Sequence, residues 1–323
     1  MFVQMIYRVC CAIVRVPGAR FPGPCSPMHE LLAALLLGII EGITEFLPIS
    51  STGHLLIAQH WLGPRSDLFN IAIQAGAILA VVLIYWKRLW GMLVAFAGRD
   101  APADYDPLGV PTSPAESRDY AFKLAAAFLV TAVLGLALKK ADHIGALFGQ
   151  QWAPFHLPAT VQPIAWALII GALWMLLAEQ WAARRAAREG ERTAIAWRTA
   201  LLVGVAQVVA GVFPGTSRSA ATIFVALLAG TTSRAAATEF AFLVGIPTMF
   251  AATGYELLSV WSDGGFANVD WNALGVAFVA SAATAFVAVK WLLRYIQGHR
   301  FTSFAIYRFV LGVALLLWLP AGQ

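Results

Sequence analysis

Apolar residues in this chain come in long runs, most of them near the roughly 20 residues that a helix needs to cross a bilayer core. The clearest are Leu31 to Leu47, Ile71 to Trp86, Ala121 to Leu138, Val161 to Trp181, Ala200 to Phe213, Phe240 to Val260, Ala273 to Leu293 and Phe304 to Leu319. Each predicts a membrane helix. Two further pieces, Leu55 to Leu62 and Ala220 to Ala229, are too short to cross comfortably, and each directly follows a polar break containing proline. They read as halves of re-entrant hairpins.

Composition agrees. Of 323 residues, 60% are hydrophobic and 12% charged, with mean hydropathy +0.73. A soluble surface needs about a quarter of residues charged. The expected fold class is therefore an all-α polytopic membrane protein. The connection from Arg99 to Arg118 is rich in Pro, Asp and Ser, while Ala182 to Thr193 gathers Arg184, Arg185, Arg188 and Arg192 into one short basic loop. The positive-inside rule places that second loop in the cytoplasm, although Lys87 and Arg88, Lys139 and Lys140, and Lys290, Arg294 and Arg300 dilute the signal. Trp86, Trp90, Trp181, Trp261, Trp271 and Trp318 stand at span ends, where interfacial anchoring and plain packing both suit them.

Residues 1–27 have a different character. They hold all three cysteines (Cys10, Cys11 and Cys25), three arginines and no acid. A signal-like segment is one reading, but Val9 to Val14 is weak as its apolar stretch and there is no clear small-residue cleavage site. The expectation is instead an N-terminal extension upstream of a natural start at Met28. Without it, lysines and arginines fall from 22 to 19 against 17 acids, and the formal charge from +5 to +2. Residues 28–323 then form a single membrane domain with halves of about 28–160 and 161–323. That domain has no cysteine, which removes disulfides and thiol nucleophiles from consideration.

Charge avoided elsewhere is concentrated in "EGITEFLPISSTGH", residues 41 to 54. Glu41 and Glu45 are four residues apart, on one helix face and one turn apart. Two carboxylates there cost several kcal/mol by order of magnitude unless a cation lies between them, and a divalent metal is the economical partner. Pro48 ends the helix. Ser50, Ser51 and Thr52 follow at the start of the next apolar piece, where hydroxyls cap a helix and free amides receive anions. His54 can share a face with Ser51. Singly, such hydroxyls are most often only caps; together with an imidazole and paired carboxylates they describe a phosphoryl-transfer site.

A second break, "GVFPGTSRSAAT", spans residues 211 to 222. Arg218, flanked by Ser217, Ser219 and Thr222, suits a phosphate clamp, because a guanidinium offers paired donors. At an offset of 166, Gly38 falls on Gly204, Glu41 on Gln207, Pro48 on Pro214, Ser50 on Thr216 and Ser51 on Ser217. Interrupted helices in both halves are the pattern of inverted-repeat membrane folds, whose breaks meet at a central site.

These two motifs, with the later "TEFAFLVGIPTM", resemble the undecaprenyl pyrophosphate phosphatase family linked to bacitracin resistance, over essentially residues 28 to 323. One departure is Ala220, where the family commonly has Gly after "SRS". The resemblance implies a multi-pass protein of the bacterial cytoplasmic membrane, with two re-entrant hairpins meeting near the outer face. It implies hydrolysis of the C55 prenyl diphosphate to the monophosphate carrier lipid and inorganic phosphate, in support of wall-polymer synthesis. By matching positions, Glu41 and Glu45 would organise Mg²⁺ or Ca²⁺. Ser51 would be nucleophile or ligand, His54 the general acid/base, and Arg218 the diphosphate clamp. Ser50, Thr52, Ser217, Ser219 and Thr222 would be supporting hydroxyls. Attack by Ser51 with His54 taking its proton is the favoured chemistry; a His54 nucleophile and a metal-bound water are the alternatives. The expected partners are the prenyl diphosphate and the bilayer, with no nucleic acid and with a homodimer possible from the Ala- and Gly-rich spans. The type 2 phosphatidic acid phosphatases are a poorer match, since "PSGH" is absent and Phe224 stands where their histidine belongs. A transporter or flippase of the same carrier lipid is the alternative function.

Overall fold

The computed structural model describes residues 27–99, 113–147, 161–262 and 269–318. The expected extension lies almost wholly outside them. Among the described residues there are eleven α-helices: α1 Pro27–Thr44, α2 Ser51–Leu62, α3 Asp67–Ile84, α4 Trp86–Phe96, α5 Pro114–Leu147, α6 Gln162–Glu189, α7 Trp197–Val212, α8 Arg218–Ala229, α9 Arg234–Ser262, α10 Trp271–Gly298 and α11 Thr302–Trp318. Five of them, α3, α5, α6, α9 and α10, are long and apolar enough to cross a membrane by length and composition. The chain is a multi-pass, all-helical membrane protein.

Several boundaries differ from the hydropathy reading. Helix α6 continues to Glu189 and stops at Gly190, whose φ of 81° suits glycine. Arg184, Arg185 and Arg188 therefore ride on its last turns, and only the stretch after Gly190 is a loop. An ion pair at i,i+4 explains why: Arg185 Nε lies 3.0 Å from Glu189, which also receives Arg192 at 3.1 Å. Helix α5 starts earlier than its apolar run because Ser113 and Glu116 cap each other's amides, at 3.3 and 3.0 Å. The tryptophans expected at span ends (Trp86, Trp90, Trp181, Trp261, Trp271 and Trp318) are all exposed on the outside of the helix bundle and not packed into its core.

Close helix contacts establish direction. A side chain at Gly38 would strike the Ala277 carbonyl, and one at Gly42 would strike Ser281 and Thr284, so α1 and α10 run parallel. Lys123 lies over the Trp197 ring, Gly204 meets Ala127, and Gln207 donates to Thr131 at 3.0 Å, so α5 and α7 are also parallel. Gly171 faces Arg308 while Gly312 faces Ala165 and Ile169, which makes α6 and α11 antiparallel. Following the chain through these pairs, the α1–α2 hairpin enters from one end of the bundle and the α7–α8 hairpin from the other. Glu30 and Arg65, 2.8 Å apart, close the mouth of the first. Arg192 and Thr232, joined at 2.7 Å, close the second.

The same tracing sorts the cations. Lys87, Arg88, Arg118, Lys123, the four arginines of 184–192, Arg198, Arg234, Lys290, Arg294 and Arg300 all fall at the end where α7 begins. Among the described residues, Arg65, Lys139 and Lys140 fall at the other, and Arg218 and Arg308 lie between the ends at the two breaks. The dilution seen in sequence order disappears in space.

The two halves match in packing as well: α1 against α10 corresponds to α7 against α5, and α3 against α10 to α9 against α5. On this correspondence α6 is the counterpart of α11. The register shifts within the repeat. Gly38 and Gly204 occupy equivalent contacts at an offset of 166. Beyond the prolines the offset is 167, because Ser50 and Ser217 are the matching N-caps and Gly63 and Gly230 the matching C-caps. The second break holds one extra residue. Ser51 is therefore the counterpart of Arg218, and the pairing of Ser51 with Ser217 does not hold.

Candidate functional site

Helix α1 stops at Thr44, four residues before Pro48, yet the Glu45 amide still reaches the Glu41 carbonyl at 2.9 Å. The two carboxyl groups keep their one-turn spacing. Glu41 is fully buried, and neither of its carboxyl oxygens has a hydrogen-bond partner. Such a group has a large desolvation cost, and residues of this kind in a membrane default to function.

Glu45 is the centre of the site. One carboxyl oxygen accepts from Arg218 Nη2 at 2.7 Å, and the other from the Ser51 hydroxyl at 2.5 Å. Residues 45, 51 and 218 come from both breaks, so this single carboxylate joins the two hairpins. A further tie is the Ser219 hydroxyl donating to the Leu47 carbonyl at 3.1 Å. At this range a charged pair is shorter and stronger than a neutral hydrogen bond.

Ser50 and Ser217 are the only non-glycine residues at positive φ among the described residues, at 76° and 69°. Strain of this kind costs on the order of 1–3 kcal/mol and collects at functional sites. What it achieves is visible locally. Each serine turns its hydroxyl back as a cap, to the amides of Gly53 and Ala220, and starts a helix pointing away from the break. Two helix N-termini, α2 and α8, thus flank Glu45 and Arg218. Each carries partial positive charge suited to an anion. The Ala220 methyl is buried and leaves the cap intact.

His54 does not meet Ser51. Its Nδ1 lies 2.7 Å from the Ser50 carbonyl and its Nε2 2.7 Å from the Tyr307 hydroxyl. The Ser51 proton is directed at Glu45 instead, which alters the expected pairing of serine with histidine. Thr52 is half-buried on the first turn of α2. Thr222 is buried and donates to the Arg218 carbonyl at 2.8 Å, so its hydroxyl stabilises the helix start. Ser217 and Ser219 face one another at 3.1 Å.

Three contributors escaped the sequence reading. Tyr307 gave no signal. Arg308 gave one: a charge inside the apolar run from Phe304 to Leu319 is costly enough to suggest a purpose. It is fully buried and donates to the carbonyls of Gly215 at 3.1 Å, Thr216 at 3.0 Å, Ala167 at 3.2 Å and Pro48 at 3.4 Å. It thereby staples both breaks to α6. The third is Gly245, where a Cβ would collide with the Arg218 guanidinium. Gly245→Ala is expected to push Arg218 off Glu45 and lower turnover at least about tenfold, the cost of one misplaced charge-assisted bond. Unchanged steady-state kinetics would count against that contact.

No three residues of the types His, Cys, Asp and Glu form a metal-binding group among the described residues. The donor set that does exist is the free carboxylate of Glu41 with Glu45 beside it. Mg²⁺ commonly takes one or two carboxylates and completes its shell with waters and substrate phosphates. The residues fit an ion of that kind.

The fold and site together define a class: multi-pass membrane proteins that bring two helix breaks together around an arginine, two buried glutamates, a serine and a histidine. Residues 34–314 match the model of the bacitracin resistance protein BacA family, and the chain belongs to that family. It is similar to proteins named undecaprenyl-diphosphatase. One from Rhizobium leguminosarum bv. trifolii (strain WSM2304) is 61% identical over 287 residues, covering 89% of this chain and 96% of that protein. One from Rhizobium etli (strain CIAT 652) is 60% identical over 293 residues, covering 91% and 98%. A third, from Xanthomonas oryzae pv. oryzae (strain PXO99A), is 55% identical over 295 residues, covering 91% and 99%.

Proposed function

We propose that this chain hydrolyses undecaprenyl diphosphate to undecaprenyl phosphate and inorganic phosphate, recycling the carrier lipid and conferring bacitracin resistance. The observation that carries the reading is Glu45 held between Arg218 and Ser51, one oxygen to each. A guanidinium for phosphate oxygens and a hydroxyl already bonded to a carboxylate are the elements of phosphoryl transfer. In this reading Ser51 Oγ attacks the terminal phosphorus as its proton passes to Glu45. The bond to the bridging oxygen breaks, and the prenyl monophosphate leaves. Water then hydrolyses the phosphoserine, with His54 as the acid/base that takes the water's proton, releasing phosphate. Arg218 moves from Glu45 to the diphosphate when substrate enters, and the N-termini of α2 and α8 face its remaining oxygens. Glu41 and Glu45 would hold the divalent ion, Mg²⁺ or Ca²⁺, which neutralises charge on the phosphates when bound.

We place the cation-rich end, where α7 begins, in the cytoplasm of a bacterial inner membrane, on the positive-inside rule. The hairpin carrying Ser51 and His54 then hangs from the outer side, and the two hairpins form an inverted duplication. The test is phosphate release from the C55 diphosphate by purified protein in detergent, with and without chelator. Release that chelator abolishes and Mg²⁺ or Ca²⁺ restores is expected, with a trapped phosphate label on Ser51. No release, or a label on histidine, would overturn the function and the serine step respectively.

A further inference from the structure

The element α11 lies far along the chain from both breaks, yet it meets the imidazole that the sequence marks as chemical. We propose that Tyr307 is the positioning residue for His54, fixing which way the ring points, while the Ser50 carbonyl sets which ring nitrogen carries the hydrogen. This deepens the reading of the site as a phosphatase and rests on it.

The Ser50 carbonyl can only accept, so Nδ1 of His54, 2.7 Å away, carries the hydrogen. Nε2 of the neutral ring is then the lone-pair nitrogen, and the Tyr307 hydroxyl donates to it at 2.7 Å. The two rings lie nearly in parallel planes, 10° apart. With both nitrogens engaged, the imidazole has one orientation and one tautomer. A histidine that shuttles a proton works only with the correct nitrogen free of its hydrogen, which the Ser50 carbonyl ensures, and with the ring held in place, which the Tyr307 hydroxyl does at Nε2.

The surroundings support a dedicated contact. Tyr307 is 45% exposed, so burial of its ring is not what the side chain contributes. Its neighbour Arg308 is fully buried and fixed to four carbonyls of α6 and the two breaks. The backbone of α11 at residue 307 is thereby registered against the same breaks that carry Ser51 and Arg218. His54 sits one turn into α2, whose start is set by Ser50. The length of the Tyr307–His54 bond is thus controlled from both sides.

Tyr307→Phe keeps the ring and removes the hydroxyl. Loss of one neutral, partly exposed hydrogen bond corresponds to up to about tenfold. The expected result is a kcat about tenfold lower with KM within about twofold, because substrate contacts are untouched. In a His54→Ala background the same change should have no further effect, since Tyr307 acts only through the imidazole. A second readout does not depend on turnover: diethyl pyrocarbonate acylates a free imidazole nitrogen. His54 should react slowly in the parent protein and several-fold faster in Tyr307→Phe, measured by peptide mass against His29 and His60. Multiplying losses in the double variant, or equal acylation rates, would overturn the proposal. If the parent protein releases no phosphate, the function fails, while the acylation result still judges the contact.

Discussion

Glu45→Gln is expected to lower phosphate release from a prenyl diphosphate by about 10³-fold, within the 10²–10⁴ range that a positioned proton acceptor contributes. Glutamine has nearly the same shape but presents one amide donor and one neutral oxygen. It cannot take the Ser51 proton, and it repels Arg218 with its NH₂ or holds it weakly with its carbonyl. Both partners of Glu45, at 2.5 Å and 2.7 Å, are therefore lost from the reacting geometry at once. Ser51→Ala should lose activity to a similar degree. Because the two act as one unit, the double variant should be little worse than either alone. Phosphate release from Glu45→Gln within tenfold of the parent would remove Glu45 from the role of base. Multiplicative losses would show that Ser51 and Glu45 serve separate steps.

What could be read from the amino-acid order follows from cost. Glu41, Glu45 and Arg218 stood out because charge in an apolar run is expensive, and the structure places all three at the meeting of the two breaks. Pro48 and Pro214 marked the breaks because proline cannot continue a helix. The partner of Ser51 was not legible. Local spacing favoured His54, one turn away, whereas the positive φ of Ser50 turns α2 so that the hydroxyl meets Glu45 across the break. The repeat register failed for a similar reason: the extra residue between Pro214 and Ser217 moves Arg218 into the place that Ser51 holds in the other half. Tyr307 was beyond reach, since its contact is 253 residues distant and a tyrosine in an apolar run has an ordinary packing role.

Arg308→Met should damage both stability and turnover, and the comparison with Arg308→Lys separates the two. The guanidinium is fully buried and meets carbonyls from three segments, Pro48 of the first break, Gly215 and Thr216 of the second, and Ala167 of α6. Methionine fills similar volume but leaves those oxygens unpaired, at about 1–3 kcal/mol for each that finds no other partner. A clear drop in the melting temperature in detergent is expected, with turnover below about 1% of the parent if release of the breaks costs the roughly 3–5 kcal/mol typical of a broken buried charge network. Lysine keeps the charge, but one ammonium with three donors cannot span carbonyls that a planar fork reaches. It should recover much of the stability and little of the rate. Recovery of both would mean that Arg308 supplies positive potential to the phosphates and that the geometry of the breaks is held elsewhere. A methionine variant as stable and active as the parent would show that Glu45 and Ser219 alone suffice to join the two hairpins.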